Sequence, residues 1–212
     1  MNIKTMVPMK KLIIPVLAFV LFGFSADTNK LSNEDRKFAI KHLKETRNHM
    51  THVLKGLSEE QLNFKPYEDS WSIAECVEHL AISESAFGGL IKRTAASEPN
   101  PALKDSLVFN DEQLLKVITD RSQKVKTSEQ FEPSGQFGSH EETVEAFMTK
   151  RNEHIEYTKT TEDDLRNRFS KDLPFGTVDG VQLLLFAAAH SERHILQMEE
   201  VMAAENFPAK KE

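Results

Sequence analysis

Apolar residues recur at helical spacing in several stretches of this chain, separated by segments rich in turn formers. From Ser32 to Leu57 a stripe of Leu43, Met50, Val53, Leu54 and Leu57 predicts a first helix, with Ser32 and Asp35 spaced for a reciprocal cap. Gly56 and the segment SEEQLNFKP end it. From Trp71 to Leu80 (WSIAECVEHL), Ser72 and Glu75 have capping-box spacing and Trp71 is placed as a staple against Cys76. Ile73, Val77 and Leu80 supply the buried stripe, and Ser83 to Lys92 continues the helix, with Gly88 and Gly89 permitting close packing. Residues 95–105 hold two prolines and read as a loop. A third helix is expected from Asn110 or Asp111 to Lys126, with Leu114, Leu115 and Ile118 inward. After a second long loop, 128–139, Ser139 and Glu142 repeat the capping box and open a helix to Lys159 carrying Val144, Phe147, Met148 and Ile155. A last loop, FSKDLPFGTVDG, leads into a helix without Gly or Pro from Val181 to Phe207. No segment alternates as a strand requires, so the pattern predicts an all-α chain.

The N-terminus departs from this pattern. Lys4, Lys10 and Lys11 precede an unbroken apolar run from Leu12 to Phe24, followed by the small residues Ser25 and Ala26. The run is shorter than the roughly 20 residues that span a bilayer, and the order matches an export signal over residues 1–26. The expected location is periplasmic or extracellular; an uncleaved N-terminal segment tethering the protein to the membrane is the competing reading. With 27 basic and 33 acidic residues the net charge is −6. Removing the three lysines of the leader leaves 24 basic residues, a more acidic domain still. Such a balance offers no electrostatic footprint for nucleic acid. The single cysteine, Cys76, excludes an intramolecular disulfide and a multi-cysteine zinc site.

Candidate chemistry concentrates in the last helix. In AAAHSERHILQM, His190 and His194 lie one turn apart on one face, so both rings reach a common point beside the axis. Neutral imidazole suits zinc, nickel, copper and iron, although two histidines four apart also occur as a solvated or core-edge pair. His79 sits beside the core position Leu80. His42, His49 and His52 flank the first stripe as solvated or core-edge residues; His140 and His154 read as surface residues, with a role as additional ligands the alternative.

Together the LSEEQLNFKP turn, WSIAECVEHL and HSERHILQ resemble the DinB-like superfamily, in which a Trp-Ser-x-x-Glu-x-x-x-His-Leu segment opens the second helix and a His-x-x-x-His segment lies in the last. The resemblance implies a four-helix bundle with long crossover loops and an additional short helix, over residues 31–206, often homodimeric. It also implies His79, His190 and His194 as ligands of a divalent ion: zinc, nickel, iron or manganese. Three histidines from two helices hold an ion while leaving positions open for water or substrate. Glu75, Glu78 and Glu192 are candidate acceptors for the outer ring N–H groups, although Glu75 already has a structural task in its cap.

The implied activity is that of a metal-dependent hydrolase or transferase acting on an unidentified small molecule. Thiol-dependent transferases occur among relatives, but export argues against a cytosolic thiol as cosubstrate. The alternative is a non-catalytic bundle whose ion staples the fold or is stored and sensed. No phosphate-binding loop or metalloprotease HExxH motif narrows the reaction.

Overall fold

The computed structural model describes residues 30–210, so the 1–26 leader segment lies outside the described residues. Helices begin where the sequence supplies caps. Ser72 and Glu75 exchange both capping-box bonds at the start of α3 (Ile73–Ala95), as do Ser139 and Glu142 at the start of α5 (His140–Thr160). At α1 (Asn33–Val53) only half the expected box forms. Ser32 Oγ accepts from the Asp35 N–H, but the Asp35 carboxylate is taken by the Ser32 hydroxyl and by Arg166. That guanidinium also binds Asp111, at the start of α4 (Asp111–Thr119), and Asp179, the N-cap of α6 (Gly180–Met202). One arginine therefore joins three helix N-termini.

Around the bundle the order is α1–α6–α3–α5, each packing on the next and α5 closing on α1. Arg36 bonds the Thr158 and Thr161 carbonyls while Arg47 meets Asn152, so α1 and α5 are antiparallel. His79 meets His194 and Phe87 meets Phe186, so α3 and α6 are antiparallel as well. The neighbours α3 and α5 are parallel, which obliges the long crossover 96–139; α4 lies within it and packs on α6.

Three boundaries differ from the sequence expectation. The first helix stops at Val53, and the turn after it closes through Gly56 at φ +72°, a value that favours glycine. A four-residue helix, α2 (Glu59–Leu62), follows. Helix α4 ends at Thr119 and not at Lys126, because Arg193 of α6 takes the Ile118 and Asp120 carbonyls and Asp120 turns the chain by accepting from the Ser122 N–H. The loop before α6 contains a small antiparallel pair, β1 (Phe169–Ser170) with β2 (Val178–Asp179). Among the described residues no helix is long and apolar enough to cross a membrane.

Apolar packing gathers in two large clusters and a small third one of Phe87, Phe186 and Ala187. Of the large ones, one contains Leu43, Leu90, Ile155 and Ala188, the other Met50, Ala81, Phe147 and Ile195. In every long helix the residue between the two sets is polar: Thr46, Glu84, Arg151 and Ser191, all buried.

Candidate metal centre

The turn His190–His194 points its five residues at four different neighbours, since successive helical positions lie 100° apart and the first and fifth share a face. His190 and His194 face α3. Ser191 points into the bundle and receives Arg151 Nη2 at 2.7 Å. Glu192 reaches α1, with both carboxylate oxygens 3.1 Å from His49 Nδ1. Arg193 binds carbonyls at the end of α4 and beyond it.

Across from the pair stands His79 of α3. One ring nitrogen from each of His79, His190 and His194 lies within 4.8 Å of the others, and the Nε2 atoms of His79 and His190 are 3.0 Å apart. These separations bracket the roughly 3.3 Å between nitrogens on a tetrahedral ion bonded at about 2.0–2.1 Å. Burial lowers the pKa of all three rings, that of His194 to about 3 and that of His190 well below its ordinary value; neighbouring positive charge adds to the shift at His190 and His194, while the bond to the Phe131 carbonyl opposes it at His79. They are thereby held as neutral imidazole, the form that donates a lone pair to a metal. The residue types, the spacing and the protonation state fit a divalent ion. His42, His49, His52, His140 and His154 do not join the group, and neither does Cys76, whose thiol burial pushes up to about 12.

The outer ring nitrogens are held differently from the sequence expectation. His79 Nδ1 donates to the Phe131 carbonyl at 2.8 Å, and His194 Nδ1 donates to Gln197 Oε1 at 2.9 Å. Arg121, which can only donate, approaches the same Gln197 oxygen at 3.3 Å, which fixes the amide's orientation. None of the three glutamates serves. Glu75 caps α3 and pairs with Lys65, Glu78 accepts from the Ser134 and Gln136 N–H groups, and Glu192 pairs with His49. Trp71 does not merely staple the helix start, since its ring lies 4.9 Å from His79 and 6.0 Å from His194. Phe87 and Phe186 flank His190 at 5.3 and 5.7 Å, and His190 as a residue is partly exposed.

Beneath the histidines lies a network the sequence reading missed. Arg151, fully buried, donates to Glu84 in a bidentate pair at 3.0 and 2.5 Å, to Thr46 and Ser191, and to the Leu43 and Ala187 carbonyls. Burial alone would raise the Glu84 carboxyl, but Arg151 overrides it and holds the group down at about 2. His154, expected at the surface, is buried with Nδ1 2.9 Å from Glu84 Oε2. A signal existed: residues 147, 151 and 155 lie on one face of α5, so Arg151 occupies a position of the apolar stripe. A cavity of about 640 Å³ opens on the other side of α6, lined by Phe38, His42, His49, Leu115, Ala189 and Glu192, away from the three histidines.

The fold and the site together define a four-helix bundle with a buried three-histidine centre able to hold a divalent ion. A family model of the DinB superfamily matches residues 42–198, and the chain belongs to that superfamily. It is similar to the uncharacterized protein YuaE of Bacillus subtilis (strain 168), at 27% identity over 148 residues, covering 70% of this chain and 87% of YuaE. Among solved structures it resembles YfiT from Bacillus subtilis, described as a probable metal-dependent hydrolase with an unusual four-helix bundle topology. The TM-score is 0.58 at 16% identity, covering 84% of this chain and 91% of YfiT.

Proposed function

We propose that this protein is an exported metal-dependent hydrolase in which His79, His190 and His194 hold a divalent ion: zinc, nickel, iron or manganese. The observation that carries the reading is a group of three neutral imidazoles with no fourth His, Cys, Asp or Glu beside it among the described residues. A structural zinc site is normally closed by four protein ligands, whereas three leave room for water and substrate. A divalent ion held there supplies Lewis acidity toward an ester or amide carbonyl and activates water.

The chain's own part is to hold and shield. Phe131 and Gln197 fix the Nδ1 protons of His79 and His194, which turns Nε2 of each ring toward the common point. Trp71 on one side and Phe87 with Phe186 on the other line the site with aromatic surface, and His190, the one of the three histidines that is partly exposed, marks the approach for a small-molecule substrate. The description of YfiT supports hydrolysis over group transfer. Export is supported by the basic start and apolar run of residues 1–26, and a homodimer is the assembly we expect.

The test is hydrolysis of a panel of activated esters and anilides by protein loaded with each candidate metal, beside chelated protein and His79→Ala. Turnover that needs the ion and disappears in the variant supports the reading. In a second panel of thiols with electrophiles, transfer without hydrolysis in the first would replace the reading with a transferase, and a loaded protein inert toward both panels would favour a non-catalytic ion.

A further inference from the structure

The two outer ring nitrogens with partners in the protein, on His79 and His194, lead to one stretch of chain, the segment 120–139 between α4 and α5. Its first half is fastened to α6. Arg193 binds the Asp120 and Gln123 carbonyls, and Arg121 grips Glu200 through two bonds of 2.9 and 2.6 Å while contacting Gln197. Its second half is fastened to α3. The Ser134 and Gln136 N–H groups both donate to Glu78 Oε1 at 3.0 Å, and the Phe131 carbonyl accepts from His79 Nδ1. Gly135 lies between the two donors at φ +76°, in the left-handed region, with nothing within 4 Å of where a Cβ would be. Backbone conformation, and not space, requires glycine there.

Resting on the three-histidine reading above, we propose that segment 120–139 is a strap whose order is coupled to metal occupancy, with Glu78 and Gln197 as positioning residues. Glu78 is buried and adjacent in sequence to His79, yet it spends one oxygen on two amides of the strap. That anchors the backbone three residues before, so that Phe131 presents its carbonyl to the ring. Gln197 performs the same task for His194 and is itself held from the strap by Arg121. Outer partners of ligand histidines commonly change metal affinity by about 10–100-fold. Coupling is reciprocal: if the fastened strap tightens metal binding, metal must tighten the strap by the same factor.

The test uses full-length protein, Co(II) absorbance titrations and amide hydrogen exchange with and without Zn(II). Glu78→Ala is expected to weaken Co(II) binding by about tenfold or more, while Glu78→Gln, whose amide oxygen still accepts both N–H groups, restores it to near the parent. Zn(II) is expected to slow exchange of the Ser134 and Gln136 amides by a comparable factor in the parent and to leave them unchanged in Glu78→Ala. Gln197→Ala, with Gln197→Glu as its rescue, repeats the affinity test from α6 should the Glu78 variant fold poorly. Parent-like affinity in both alanine variants, or no change in strap exchange on adding Zn(II), overturns the strap while leaving the metal site standing. A parent that takes up no Co(II) overturns both.

Discussion

Two buried polar groups sit side by side in the middle of this bundle, and they solve the problem of burial in opposite ways. Around Arg151 every donor has an acceptor: the Glu84 carboxylate, two hydroxyls and two carbonyls. Around His190 the rings of His79 and His194 have their outer nitrogens satisfied and their inner lone pairs turned on one another. The Arg151 donors are satisfied without help, and that pairing serves the fold. Lone pairs converging in a site that burial keeps uncharged are complete only with a cation between them. The contrast, more than the mere presence of histidine, separates the structural centre from the functional one.

If the contrast is right, the two centres respond differently to truncation. Arg151→Met leaves Glu84 buried without its partner and is expected to cost about 3–5 kcal/mol, on the order of 10 °C in Tm; denaturant melts and calorimetry of the metal-free protein read it directly. The His190→Ala, His194→Ala variant removes from the metal-free fold the contact between the His190 and His79 ring nitrogens and the bond from His194 to Gln197, and leaves no charge buried without its partner. It is expected to stay within about 1 kcal/mol of the metal-free parent and to lose any rise in Tm on adding Zn(II). A double variant as damaged as Arg151→Met would make the histidines a second structural network and end the comparison.

A histidine outside both centres sharpens it. His49 places Nδ1 against Glu192 and Nε2 against Glu199, both at 3.1 Å. Partial burial lowers its pKa, but the two carboxylates prevail and raise it above its ordinary value near 6.5. A group whose folded pKa is raised stabilises the fold fully below the unfolded value and loses that contribution as pH rises through the folded one. Stability is therefore expected to fall slightly from pH 6.5 upward. Because the pair is partly exposed, the change is about 0.5 kcal/mol, and His49→Gln should abolish it in melts compared across that range. An NMR titration of the His49 ring with a midpoint below 6.5 would contradict the assignment.

Much of this was legible in the sequence. Ser72 with Glu75 and Ser139 with Glu142 announced two helix starts, because a box needs only local residues. The spacing of His190 and His194 put them on one face for the same reason. What escaped was everything set by tertiary neighbours. The early end of α4 depends on Arg193, seventy residues away along the chain. The acceptor for His79 is a backbone carbonyl, which no side-chain pattern reveals. Glu84 and Arg151 drew no reading from the sequence because a buried ion pair is invisible until both helices are placed, although Arg151 stood in line with Phe147 and Ile155. Glutamates beside the histidines invited assignment to them, yet helical geometry turns Glu192 toward α1.

The most direct test of the central claim is metal content by mass spectrometry on tag-free protein, beside the His190→Ala, His194→Ala variant. The account predicts close to one divalent ion per chain in the parent, as purified or after exposure to zinc, nickel, iron or manganese, and almost none in the variant. A parent that stays metal-free with all four, or a variant that loads as well as the parent, would contradict it.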